Sequence, residues 1–435
     1  MSTGCWCGTR SDGQSAGESE LHGHLAYHRS RGHRSRRRSL EAPLMRRAFK
    51  FRAYPTRQQA AVLGAQVDEA CRLYNAALDE RRSAWRMNRI SLSYYDQANQ
   101  LKAIRTAGDL RVANFSACQD VLRRVDKTFT AFFRRLDAGE KAGYPRFRSR
   151  SRYNSLSWPS LGDGCALRPT GRVYLQGVGD LKIKWHRALP ADAKIKAVTA
   201  KREAGRWFVC FSVELPEAEP LPVSDQAVGI DVGLATFAVL SDGTEIGNPR
   251  HYRAAERRLR IAQRKLARRR QRSRRRLKAR QEVARVHAHV ANQRRDFHHK
   301  TAHTLVQKYG LIAVEDLNCK GLAGSMLAKS VHDAGWSQFI SILSGKAECA
   351  GRTLVKVNPA GTTQECSQCG EYVPKMLKDR WHLCAACGLS ISRDLNAALN
   401  IVKRALALVA TEGLGWSLQA LTVDRYSSEQ NRAVA

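Results

Sequence analysis

The stretch GIDVGLATFAVLSDG, residues 229 to 243, runs an apolar strand into a carboxylate. Val228, Gly229 and Ile230 read as buried strand, Asp231 follows at once, and no basic residue lies within ten positions on either side. A bare carboxylate in low dielectric is costly, so Asp231 must be hydrogen-bonded, paired or bound to a metal. A turn residue ahead of Gly233 is the plain alternative. Two further acids sit in comparable places. The apolar run LIAVE ends in Glu315, and Asp394 opens the apolar helix in SISRDLNAALNI. Taken singly they read as a strand end and a helix N-terminal charge. Taken together they describe a carboxylate cluster, whose members repel and raise one another's pKa unless a cation neutralises them. Hard Mg²⁺ or Mn²⁺ with oxygen ligands suits such a set. Two such ions about 4 Å apart activate a water and stabilise the leaving oxygen of an in-line phosphodiester cleavage.

The cysteines carry a second kind of chemistry. Cys366-x-x-Cys369 is followed after fourteen residues by Cys384-x-x-Cys387, and each pair is closed by a glycine, Gly370 or Gly388. Knuckles of this kind aim two thiolates each at one tetrahedral Zn²⁺. Four thiolates leave no open coordination position, so the expected zinc is structural. Two separate redox motifs or disulfides are the competing reading. His299 and His303 lie at i and i+4, but the Glu of a zincin helix is missing because Lys300 follows His299. These histidines are assigned to nucleic-acid contact or packing.

The elements that must hold these residues follow from periodicity. Thr56 with Gln59 forms a capping box, and Val62, Leu63, Val67, Leu73, Tyr74 and Leu78 recur at helical spacing, predicting a helix to about residue 88. A second helix through QDVLRRVDKTFTAFFRRL turns Val121, Leu122, Val125, Phe129, Phe132, Phe133 and Leu136 inward. The loop GYPRFRSRSRYNSLSW interleaves aromatics with arginines, a pattern suited either to gripping phosphates while rings stack on bases or to a solvated charged loop. Residues 173 to 215 are β-like, suggesting a small antiparallel sheet or barrel with the helices inserted after its first strand. Beyond the linker PEAEPLPVSD come three strands joined by Gly turns, a basic helical region from 253 to 309, then strand, helix, strand, the cysteine pairs and a last helix. That order is ribonuclease-H-like. It sets strands one and four side by side with the last helix across them, so the three acids converge.

The predicted class is therefore α/β multidomain. Residues 1–44 are expected to be a disordered basic extension, with Met45 as the natural start and a basic arm that binds nucleic acid as the alternative. A β region takes 45–55 and 148–222, with a helical domain at 56–147 between. The ribonuclease-H-like domain takes 225–363 and 389–410 around a zinc ribbon at 364–388, and 411–435 is a tail.

Of 435 residues, 74 are Lys or Arg against 39 Asp or Glu, a formal charge of +35. Such a field is self-repulsive without a polyanion, which makes nucleic acid the expected partner. No run of about 18 apolar residues offers a bilayer span, and the N-terminus has no apolar signal core. The remaining cysteines are mostly scattered, as expected of reduced thiols in a cytosol.

Together FKFRAYPTRQQ, GYPRFRSR, GIDVGLATFAVLSDG, EDLNCKGL, NPAGTTQECSQCG and SRDLNAALNI resemble the TnpB family. These are the OrfB-type proteins of insertion sequences, related to type V CRISPR effector nucleases, and the likeness spans residues 45 to about 409. It implies an RNA-guided DNA endonuclease acting in the prokaryotic cytosol, with a guide RNA and double-stranded target DNA as partners. The family's RuvC site would match Asp231, Glu315 and Asp394, its zinc ribbon the four cysteines, and its wedge and recognition parts the N-terminal half. A ribonuclease-H-like transposase and a guided DNA-binding protein that does not cut are the alternatives.

Overall fold

The structure is a computed structural model that describes residues 44–110, 113–216, 219–376 and 378–411. The expected extension and tail lie outside these residues, apart from Leu44 and Thr411 at their edges. In chain order the elements of the first half are β1 (Leu44–Tyr54), α1 (Arg57–Asn88), α2 (Tyr94–Thr106), α3 (Phe115–Asp137), β2 (Ser155–Trp158), β3 (Cys165–Leu167), β4 (Val173–Leu175), β5 (Gly179–Lys184), β6 (Lys194–Glu203) and β7 (Arg206–Pro216). There follow β8 (Ala227–Val232), β9 (Thr236–Leu240), β10 (Glu245–Gly247), α4 (His251–Ala267), α5 (Arg274–Lys308), β11 (Leu311–Glu315), α6 (Cys319–Leu322), α7 (Ala328–Ala334) and α8 (Trp336–Cys349). The chain closes with β12 (Thr353–Val357), β13 (Trp381–Leu383), β14 (Ser390–Ser392) and α9 (Arg393–Thr411).

Thr56 and Gln59 do form a capping box: the Thr56 hydroxyl accepts from the Gln59 N–H at 3.2 Å, and Gln59 Oε1 accepts from the Thr56 N–H at 3.1 Å. Helix α3 differs from its expected packing. Val121, Leu122 and Val125 are buried, but Phe133 and Leu136 are 53% and 47% exposed. Helical spacing shows which residues share a face, not how far along the helix a partner covers it. Past Val125 the aromatics of α3 lean on one another and on Tyr144. Strands β2 to β7 follow the helices and join β1 in a seven-stranded antiparallel sheet ordered β2-β6-β7-β1-β5-β4-β3. Its hydrogen bonds run from edge to edge without closing a barrel among the described residues.

The second sheet is ordered β10-β9-β8-β11-β12, the ribonuclease-H-like order, with β8, β11 and β12 parallel. Every residue of β11 is buried, as both its faces are covered. Strand alternation divides the faces. Val228, Ile230, Ile312 and Val314 join a core with Phe339 and Leu343 of α8 and Leu305 of α5. Leu311, Ala313 and Val357 pack under Ile401, Val402, Ala405 and Leu406 of α9. The basic stretch is two helices, α4 and α5, broken at 268–273, where Arg276 Nη1 donates to the carbonyls of Leu266 and Arg269 at 3.0 and 2.9 Å.

Candidate metal centres

Alternation and close packing decide where the acids point. Gly229 and Asp231 share the face of β8 opposite Val228 and Ile230, as Glu315 shares the face of Leu311 and Ala313 on β11. Both faces look toward α9. In the parallel register Ile230 lies beside Val314, and the same offset carried one residue on sets Asp231 beside Glu315. A Cβ on Gly229 would stand 2.0 Å from the Ala398 carbonyl oxygen and 2.7 Å from the Val402 nitrogen. Only glycine lets α9 press its backbone onto β8 here. Asp394 is one helical turn before Ala398 on that face of α9, so the crossing point brings its carboxylate toward Asp231.

The electrostatics report this convergence. Burial, then the charges of Glu315 and Asp394, push the Asp231 carboxyl up to about 8, with Arg393 opposing. Glu315 is also raised by burial, against the pull of a hydrogen bond from Thr362 and of the Arg404 charge. Asp394 is the member with a cation at hand, since Arg393 Nε and Nη2 reach its Oδ1 at 3.1 and 3.0 Å. The three acids form a loose cluster. Among the described residues, the only His, Cys, Asp or Glu groups of three or more with all ligand atoms within 4.8 Å of one another are the four cysteines. All-oxygen donors and a carboxyl forced toward its neutral form fit a hard divalent cation, which would favour the ionised set.

The cysteine site is compact. Cys366 and Cys387 Sγ are 3.5 Å apart, and Cys369 and Cys384 Sγ 3.6 Å. These separations are far beyond a disulfide and near the ~3.8 Å edge of a tetrahedron with 2.3 Å Zn–S bonds. The Gly370 and Gly388 N–H groups turn back onto the Cys366 and Cys384 carbonyls at 2.9 Å, with φ of 82° and 74°, closing both knuckles. The four-cysteine cluster fits a zinc ribbon. His299 and His303 are both exposed on α5, whereas His298 is buried with its Nε2 2.9 Å from the Ala334 carbonyl oxygen.

The residues tying the two centres together are ones the sequence reading passed over. Thr362 is buried, and its hydroxyl donates to Glu315 Oε1 at 2.6 Å. Asn400 Nδ2 donates to the carbonyls of Thr362 and Glu365, Asn396 accepts from the Ser367 N–H at 2.8 Å, and Arg404 holds the carbonyls of Asn358 and Ala360. One polar stripe of α9 thus fixes the loop that carries Thr362 and enters the first knuckle. Its signal was available, since Asn396, Asn400 and Arg404 interrupt an apolar helix at i, i+4 and i+8.

Residues 210–326 match the OrfB_IS605 family, described as "Probable transposase", and 336–401 match the Cas12f1-like TNB domain. Residues 45–89 match a helix-turn-helix domain of the same OrfB proteins, where the structure has β1 and α1. A Streptomyces pristinaespiralis protein named "Putative RNA-guided DNA endonuclease" is 34% identical over 84% of this chain and 91% of its own. The chain belongs to the TnpB/OrfB family. Another relative, the Escherichia coli K12 protein named "Putative RNA-guided DNA endonuclease InsQ", is 27% identical over 83% of this chain and 93% of its own length. Among solved structures, the protein of a Cas12f1–sgRNA–target DNA complex aligns with this TnpB/OrfB chain at a TM-score of 0.54. The identity is 14%, over 82% of this chain and 99% of that one, a likeness of fold. No described helix is long and apolar enough to cross a membrane.

Proposed function

We propose that this protein is a transposon-associated, RNA-guided DNA endonuclease of the prokaryotic cytosol, with Asp231, Glu315 and Asp394 as its catalytic metal ligands. The observation that carries the reading is the close crossing of α9, which bears Asp394, over the sheet face that bears Asp231 and Glu315, where burial and the two other acids push the Asp231 carboxyl up to about 8. Three buried or half-buried carboxylates, opposed only by the Arg393 and Arg404 charges, make a poor structural unit and a good cation site. Bound Mg²⁺ or Mn²⁺ would supply a water activated at neutral pH and charge stabilisation for the leaving 3′-oxygen. The chain's own part is positional. The parallel register, carried one residue past Ile230 and Val314, would set Asp231 by Glu315, Gly229 admits α9 with Asp394, and the Thr362 hydroxyl bonds Glu315. Cys366, Cys369, Cys384 and Cys387 would hold a structural Zn²⁺ between β12 and α9, so folding of the ribbon sets the start of the helix bearing Asp394.

A chain of +35 with phosphate contacts as its main footprint has little means of choosing a DNA sequence by itself, since those contacts carry no base information. Delegating the choice to a paired guide RNA solves this, as in other RNA-guided nucleases. The names of the two relatives favour the same reading. Asp231→Ala, Glu315→Ala and Asp394→Ala should each lower divalent-dependent cleavage to below about one hundredth of wild type. Even the outer partners of metal ligands cost up to that much. Affinity for nucleic acid should persist, because the basic surface is untouched. A variant that cuts at the wild-type rate removes its residue from the site. Wild type that binds guide and target without cutting, at any divalent concentration, would favour the non-cleaving reading.

A further inference from the structure

Helix α1 and the loop after α3 meet in a feature that the nuclease centre does not use. An open groove of about 550 Å³ lies between them, lined by Arg82, Trp85 and Arg86 of α1 and by Tyr144, Arg146 and Phe147 of the loop. We propose that this groove binds an unpaired nucleotide, its base stacked on the exposed rings and its phosphates held by the arginines.

Composition and exposure argue first. Trp85, Tyr144 and Phe147 are 38%, 43% and 49% exposed, although large rings are ordinarily well buried on average. Arg82, Arg86 and Arg146 have no ion-pair partner among the described residues, and no acid lines the groove. Three guanidinium groups beside exposed rings, with a fourth, Arg89, already 5.8 Å over Trp85, match the pairing of phosphate contact with base stacking. The bases of a duplex have their faces covered by neighbouring pairs, so the rings suit a strand whose bases are unstacked.

Rigidity argues second. Residues 143–148 lack regular secondary structure, yet Asn75 of α1 clamps the backbone of Arg148 from both sides. Asn75 Oδ1 accepts from the Arg148 N–H at 2.8 Å, and its Nδ2 donates to the Arg148 carbonyl at 2.9 Å. Tyr144 meets Phe129 and Phe132 edge-on, with centroids 5.9 and 5.4 Å away. These contacts explain why α3 carries aromatics past its buried half: they buttress the loop. On α1, Arg82, Trp85 and Arg86 lie at i, i+3 and i+4 and share one face. The stacking surface is thus built before any ligand arrives.

The inference shares with the proposed function only its nucleic-acid partner and is independent of cleavage, so its test reads binding alone. The full chain, freed of bound RNA at high salt, is titrated by fluorescence anisotropy with oligomers of about ten uridines or ten thymidines, and with a duplex of that length. Trp85→Ala and Phe147→Ala should each weaken single-strand binding about fivefold or more, leaving duplex binding and the salt slope unchanged. Trp85→Phe should keep most of the affinity. Arg82→Gln with Arg86→Gln should instead flatten the dependence on salt. The strand that loses more, uridine or thymidine, identifies the source as RNA or DNA. Ring variants that bind both strands like wild type overturn the proposal and leave the groove as part of a diffuse basic surface. If Trp85→Ala melts early, photocrosslinking of 5-iodouracil oligomers to wild type decides. A crosslink on Trp85, Tyr144 or Phe147 supports the site, and crosslinks elsewhere only overturn it.

Discussion

The two candidate metal centres are built in opposite ways. The thiolate site closes within residues 366–387 and gathers its four sulfurs within 4.8 Å. The carboxylate site draws Asp231, Glu315 and Asp394 from three distant elements and stays loose. Two tight turns can preset a tetrahedron locally. Acids on a sheet and a helix repel, and only a cation makes their closeness favourable. The first centre should therefore stabilise the fold, whereas the second should strain it until metal arrives.

The largest effect is expected at the thiolates. Cys369→Ser or Cys384→Ser should lower zinc well below one atom per chain by elemental analysis. The melting temperature should fall by about 5–10 °C, because coordination energy is folding energy. A wild type that is metal-free yet fully folded would end the distinction between the centres. Asp231→Asn should act the other way. The folded carboxyl titrates near 8 and the unfolded one near 3.8, so between these values the native state binds the extra proton and stability falls as pH rises. In chelator at pH 8 the amide should stabilise the chain by on the order of 1–3 kcal/mol, after allowing for partial exposure, and Mg²⁺ should remove its advantage. Equal melting of both proteins at pH 5 and pH 8 would contradict the strain. Smallest is Thr362→Val, which removes the hydroxyl that orients Glu315. Cleavage should drop about tenfold with zinc content unchanged, and Thr362→Ser should restore most of it. An inactive valine variant that has also lost zinc would make Thr362 part of the ribbon's support instead.

The sequence was informative where one local pattern sufficed. The capping box at Thr56, the strand run LIAVE and the paired cysteine knuckles each state their geometry in a few residues. Helix α2 escaped notice because it buries only Gln97 and Leu101, too few apolar positions to show a period, although Ser93 and Asp96 already spelled its capping box. The outward turn of Phe133 depends on where α1 and α2 stop covering α3, which no single-helix pattern records. In the site, the three acids could be picked out because each ends or begins an apolar element. Thr362 could not, since a threonine in a loop looks the same whether it faces water or a buried carboxylate. The crossing at Gly229 was likewise hidden, as the missing Cβ matters only once Ala398 is known to lie above it.

The central claim is that this chain cuts DNA at a site chosen by RNA, using the carboxylate centre. The most direct measurement takes the protein purified with whatever RNA accompanies it, sequences that RNA, and incubates the complex with a plasmid carrying the matching target and Mg²⁺. A discrete structured RNA should be recovered, and cutting at the matching site should vanish on ribonuclease treatment, in chelator and with Asp231→Ala. Binding should weaken steeply with salt, as counterion release requires. Equal cutting of one chosen site by RNA-free protein would contradict guided cleavage and favour a transposase that reads DNA directly.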